Sequence, residues 1–218
     1  MNLGTLTTLE ANFLGDPDQT RYSGKYTDSL NRANEQFALD TRALWKDTSW
    51  THAADDADEN LPTDFMWEDW VTYDNKKLSP ISRHRLNQEK SGEDWTDDTA
   101  SLPTHFIIDP EQAVKEIVLY PIPSTAKTLR MRYFPLPTEM SSSTDVPLNS
   151  SSLMAQFHVG IAAYAAWLVL LYEQVTPEII SKRNELLKIY QDSVTKAIDT
   201  FKNTASQPVR YRGTRAWT

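Results

Sequence analysis

The chain has 218 residues, 39% apolar and 24% charged, with no Cys and a formal net charge of −8. That length holds one good core or two small ones, and the lack of Cys excludes disulfides, thiolate metal sites and Cys nucleophiles. The acidic balance argues against gripping nucleic acid by neutralising phosphates, which needs a basic face.

The start, Met1-Asn2-Leu3-Gly4-Thr5, lacks the basic flank and long apolar run of a secretion signal. Residues 5 to 14 place Leu6, Leu9, Phe13 and Leu14 on one face of a short helix. Asp16-Pro17-Asp18 ends it, because Pro restricts the residue before it and aspartates favour turns. A calcium-loop reading of Asp16, Asp18 and Thr20 fails for want of the required Gly and terminal Glu. Ser23 then caps a longer helix on which Tyr26, Leu30, Ala33, Phe37 and Leu44 recur at helical spacing through Trp45. Asp28, Asn31, Arg32, Glu35 and Arg42 make its wet face.

From about residue 48 to 149 most of the prolines occur, apolar runs shorten and aromatics become frequent. Phe65 to Tyr73, His105 to Ile108, Glu116 to Tyr120 and Thr128 to Phe134 read as strands. In the last, Leu129, Met131 and Tyr133 alternate with Arg130 and Arg132, which predicts one wet face. Pro121-Ile122-Pro123-Ser124 is expected to join it to the preceding strand as a hairpin. Ile81 to Glu89 is expected to be a short helix capped by Ser79 with Pro80 at its first position. The segment reads as a small antiparallel β domain.

A serine-rich linker from Ser141 to Ser152 returns the chain to helix. From Leu153 to Tyr172 there is no Asp, Glu, Lys or Arg. That run approaches membrane-spanning length, but Gln156, His158 and Gly160 fall in its first half and neither flank is basic, so burial among helices is expected and no membrane is implied. Thr176-Pro177 caps the next helix, whose apolar stripe runs from Ile179 to Phe201. The two form an antiparallel hairpin. With the long helix near residue 30 they make a three-helix bundle.

The expected fold class is therefore α+β: an antiparallel helical bundle of three main helices, with an inserted small antiparallel β domain and an extended C-terminal tail. Its parts are residues 1–48 and 150–205 for the bundle, 49–149 for the β insertion and 206–218 for the tail. The tail, from Gln207 to Thr218, carries Arg210, Arg212 and Arg215 with Tyr211 and Trp217, the composition of a docking peptide.

Little in the chain points to catalysis. His52, His84, His105 and His158 have no ligand spacing, and there is no phosphate loop, dinucleotide fingerprint or nucleophile elbow. Asp55-Asp56-Ala57-Asp58-Glu59 reads as a solvated loop rather than a cation site. Trp67, Trp70 and Trp95 among acids suit either a small β core or a sugar-binding platform, and acid pairs such as Glu68 and Asp69 occur in any acidic chain. No catalytic, cofactor or metal residues are assigned. Nine acidic residues from Asp47 to Asp74, with no Lys or Arg between them, make a negative surface that either aids solubility or repels passing phosphate.

Several stretches, in order along most of the chain, carry a resemblance. They are Leu14-Gly15-Asp16 with Thr20-Arg21-Tyr22-Ser23, Leu30-Asn31-Arg32-Ala33, Leu61-Pro62-Thr63-Asp64-Phe65 and Leu119-Tyr120-Pro121-Ile122-Pro123. Leu129-Arg130-Met131-Arg132-Tyr133, Val146-Pro147-Leu148 and Ala162-Ala163-Tyr164-Ala165-Ala166-Trp167 complete them. Together they resemble the head-to-tail adaptor, or connector, proteins of tailed bacteriophages. The resemblance implies a structural, non-enzymatic virion protein of the neck, made in the host cytoplasm without a cofactor. It implies a homo-oligomeric ring, dodecameric in that family, beneath the portal protein and above tail or nozzle proteins, with double-stranded DNA passing through the lumen without specific binding. On that reading Arg210, Tyr211, Arg212, Arg215 and Trp217 bind the portal, while Gly160, Ala163, Tyr164, Trp167 and Leu171 pack the ring-forming helix. The alternatives are another neck or tail-completion ring protein and, from a different class, a carbohydrate-binding or glycoside-cleaving protein using the Trp- and acid-rich β segment.

Overall fold

The computed structural model describes residues 1–90, 94–108, 115–150 and 152–204. The chain divides into two compact units, Met1–Ala43 with Pro137–Thr218, and Leu44–Leu136. Its class is α+β, with mixed rather than purely antiparallel sheets.

The helical unit contains α1 (Leu3–Leu14), α2 (Tyr26–Thr41), α4 (His158–Leu170) and α5 (Pro177–Thr204); α3 (Arg83–Glu89) belongs to the other unit. The uncharged helix α4 is central and packs against α1, α2 and α5. Apolar on all sides, it has no face suited to water, and Ile161, Ala162, Ala163, Ala165 and Ala166 are completely buried. α1 thus packs in the body as a fourth helix beside the three expected. The pairs Tyr164–Tyr190, with ring centroids 4.4 Å apart, and Arg183–Leu170, where Nε donates to the carbonyl at 3.0 Å, show that α4 and α5 run antiparallel.

Local chemistry sets the ends. Asn2 caps α1 by accepting from the Thr5 N–H. Gly15, at φ 73°, closes it in the left-handed conformation that Gly adopts without steric cost. The helix expected from Ser23 to Trp45 instead begins at Tyr26 and stops at Thr41, where Arg42 turns left-handed at φ 49°. Leu44 and Trp45 therefore leave the helical stripe for the start of the β unit. The apolar run from Leu153 divides as well, into a 3-10 segment, Ser152–Phe157, followed by α4. The serine-rich linker is pinned to α2: Asn31 exchanges two hydrogen bonds with the Met140 backbone at 2.9 Å, and buried Asn34 accepts from the Leu148 N–H at 3.0 Å.

In the other unit, β1 (Lys46–His52), β10 (Lys127–Pro135), β3 (Phe65–Tyr73) and β4 (Lys76–Lys77) form one sheet in that order. A second sheet is ordered β2 (Asp58–Asn60), β8 (Glu116–Tyr120), β7 (His105–Ile108) and β5 (Ser79–Pro80). A third pairs β6 (Thr99–Ala100) with β9 (Ile122–Pro123). Inward residues of the first two sheets, among them Val71, Met131, Leu129, Ile117 and Leu119, share one core. The hairpin expected between β8 and β10 does not form. Both edges of β8 are taken, by β2 and β7, and the connecting Ile122-Pro123 pairs with β6, so β10 joins the other sheet between β1 and β3. Ser79 and Pro80, expected to start a helix, are extended and pair in parallel with β7, leaving Ser82 to cap α3 by accepting from the Arg85 N–H.

Candidate functional site

The residues assigned to the ring-packing helix divide by environment. Gly160 and Ala163 are buried in their own unit, and a Cβ placed on Gly160 would meet Ser193 of α5. Tyr164 and Trp167 are half-buried and stack on one another with ring centroids 5.2 Å apart. Leu171, expected to fill the core, is 46% exposed because the helix ends at Leu170 and the chain turns there.

Leu171 belongs to a group of exposed apolar residues whose other members sequence reasoning missed. Tyr172 is 74% exposed and Val175 64%, both at the turn joining α4 to α5, and Ile180, in the first turn of α5, is 46% exposed. The signal was Pro177: it opens α5, so Leu171, Tyr172 and Val175 just before it sit at the tip of a helical hairpin. Polar contacts brace this end. Arg183 donates to the Leu170 carbonyl at the C-terminus of α4, where a cation is favoured. Arg21 pairs with Glu173 at 2.7 Å, and the Lys25 ammonium lies 5.2 Å from the Tyr172 ring centroid. Contiguous exposed apolar residues ringed by charge are characteristic of protein contact sites.

The tail residues Arg210, Tyr211, Arg212, Arg215 and Trp217 lie outside the described residues.

Nor do the three tryptophans singled out in the β segment form one platform. Trp95 is buried in a separate cluster, edge-on to Tyr120, with its indole N–H donating to Asn87. Trp70 pairs across the sheet with Arg132, and Trp67 with Phe134. A bulge between these pairs leaves Asp69 without a cross-strand partner, which turns residues three apart onto the same face. There the Arg132 guanidinium lies 4.5 Å from the Trp45 ring centroid and 5.4 Å from that of Trp70. Asp47 grips it through two bonds, Nε at 2.9 Å and Nη2 at 3.2 Å, which holds the guanidinium charged.

Two histidines, His52 and His158, are fully buried. His52 Nε2 lies 3.0 Å from the Asp56 carbonyl and Nδ1 3.5 Å from the Glu59 carboxylate, while His158 Nδ1 lies 2.9 Å from the Met1 amine. Among the described residues no group of His, Asp and Glu is arranged to hold a metal ion, and no helix is long and apolar enough to cross a membrane.

The chain is a phage adaptor, a structural component of the virion. It belongs to the SU10 adaptor protein family, which matches residues 1–214. No curated protein matches the chain. The resemblance to phage head-to-tail adaptors drawn from the sequence is thereby borne out.

Proposed function

We propose that this adaptor assembles as a ring, dodecameric as the resemblance implies, beneath the portal, joins the capsid to the tail and continues the DNA channel. The observation that carries the ring is the exposed apolar tip, Leu171, Tyr172, Val175 and Ile180, since most other large apolar residues among those described are covered. A closed ring supplies each copy with two neighbours, so surface left open by one chain is buried by the next. Gly160 and Ala163 keep α4 tightly seated in its own body. Tyr164, Trp167 and Leu171 carry the helix toward the neighbour.

The channel reading is supported by the acidic surface. Asp69, Asp94 and Asp97 are all exposed. A wall of that sign cannot displace the counterions condensed on the phosphates, so double-stranded DNA slides past without specific binding.

The C-terminal residues make the attachment. Arg210, Arg212 and Arg215 pair with carboxylates of the portal, and Tyr211 and Trp217 fill apolar pockets, since Arg and large aromatics dominate binding hot spots. Removing Gln207 to Thr218 is expected to leave the thermal transition of the protein unchanged and to abolish its binding to portal-bearing heads. Binding that persists after this truncation would remove the tail from the account.

A further inference from the structure

The outward face of the first β sheet carries two cations, Arg130 and Lys77, with no ion-pair partner among the described residues. Cross-strand pairing sets Ser49, Arg130, Thr72 and Lys77 in one row across β1, β10, β3 and β4, so their side chains share a face. Arg130 and Lys77 are exposed, and among the described residues neither has a carboxylate within ion-pair distance. They stand roughly 10 Å apart, two strand spacings. In the next row Arg132 is locked between Trp45 and Trp70 by Asp47, giving a rigid aromatic border to the basic row. In a chain of net charge −8 this concentration of cation and aromatic is the exception.

The same unit presents a rigid counterpart. The turn from β1 to β2 exposes Asp55, Asp56 and Asp58, none of them paired with a cation among the described residues. Its backbone is held at three points: the Asp55 N–H donates to the Pro123 carbonyl at 2.9 Å, the Leu119 N–H donates to the Ala57 carbonyl at 2.7 Å, and buried His52 touches the Asp56 carbonyl at 3.0 Å. An acidic projection already ordered loses little entropy on docking.

A ring of more than two copies cannot be built from one self-complementary patch. Each copy must offer two different patches that fit one another. We infer that the Arg130–Lys77 row of one copy receives the Asp56–Asp58 turn of the next, with Trp45 and Trp70 bordering the contact. This rests on the ring reading and names the surfaces that close it. Phosphate is the poorer occupant, because the overall negative charge repels it while a second copy brings the matching carboxylates.

The test uses the full chain bound to portal-bearing heads. Reversing the row (Arg130→Glu with Lys77→Glu) or the turn (Asp56→Lys with Asp58→Lys) is expected to lower ring occupancy at least about tenfold, with the thermal transition unchanged because all four side chains are exposed. Both reversals in one chain restore complementarity and are expected to restore the ring. So does an equal mixture of the two variants, through alternating copies. Wild-type occupancy in either single reversal overturns the inference and leaves the ring reading standing. Loss in both reversals without recovery in the charge-swapped chain also overturns it, and assigns the row to a different acidic partner. A wild-type protein that forms no ring on such heads defeats the ring reading itself.

Discussion

Gly160 of α4 and Ser193 of α5 approach so closely that a Cβ on the glycine would lie 2.5 Å from Ser193 Cβ and 2.7 Å from its Oγ. Real Cβ atoms do not come that near, and turning the serine moves only its Oγ, so Gly160→Ala must push the helices apart. The expected cost is about 1–3 kcal/mol by denaturant unfolding. Adding Ser193→Gly to that variant frees the space and is expected to recover part of the loss, less about 1 kcal/mol for glycine within a helix.

Two buried groups of the helical unit give its stability a defined pH dependence. Glu10 of α1 is fully buried with Oε2 unpartnered, and burial pushes its carboxyl up to about 8, against the lowering effect of the Ser29 hydroxyl that donates to Oε1 at 2.7 Å. The native protein keeps a proton that the unfolded chain releases, so stability falls as pH rises from about 4.5 to 8. His158 is shifted the other way. Burial, followed by the positive Met1 amine, lowers it to about 4, so the unfolded chain takes up a proton that the native protein refuses, and stability falls as pH drops below 6.5. The two slopes oppose one another up to about 6.5, above which Glu10 acts alone. Glu10→Gln is expected to stabilise the protein at pH 8 by on the order of a few kcal/mol and to change little near pH 4.5, measured by thermal melts across the range.

Asp16 joins α1 to α2. Its carboxylate accepts from the N–H groups of Thr20, Arg21 and Tyr22 and from the Tyr26 hydroxyl, the last at 2.6 Å. The Tyr26 bond leads in holding its pKa below the usual carboxylate range. That stability is present above the ordinary carboxylate value and is lost as pH falls through the lowered one. Asp16→Asn leaves one acceptor oxygen for these four donors and turns an NH2 group toward at least one of them, so a lower Tm is expected at pH 7, with the difference narrowing in acid as the native carboxyl is protonated.

The hairpin tip is predicted to serve assembly rather than folding. Leu171→Ser with Val175→Ser removes exposed apolar surface. Unfolding of the isolated chain is expected to shift by no more than about 0.5 kcal/mol. Ring occupancy on portal-bearing heads, counted by electron microscopy, is expected to fall.

What the sequence made legible depends on how local the deciding forces are. β3, β7 and β8 were readable because β-branched and aromatic residues fill them, and β10 because its alternation marks a sheet with one wet face. The partner of β10 was not readable: its pairing with β1 and β3 is settled by which edges are already occupied, and β1 itself, Lys46–His52, is mostly polar and looked like loop. The burial of α4 followed from its lack of charge, while the early end of α2 followed from a left-handed Arg42 that no propensity favours. The burial of Glu10 was hidden because a Glu on a short helix reads as solvated until α2 supplies Ser29 over it. At the candidate site, the exposure of Leu171 and Val175 depends on where the hairpin turns, and Arg132 between two tryptophans depends on the early end of α2, which puts Trp45 ahead of β1 rather than on the helix.

The central claim is that this adaptor becomes a ring where it meets the portal. The direct measurement is the mass of the purified full-length protein alone and bound to portal-bearing heads. The account predicts that the heads carry it as a closed multimer of fixed copy number, centred on the portal, and that heads lacking the portal carry none. Binding of single copies, or equal binding to heads without a portal, would contradict it.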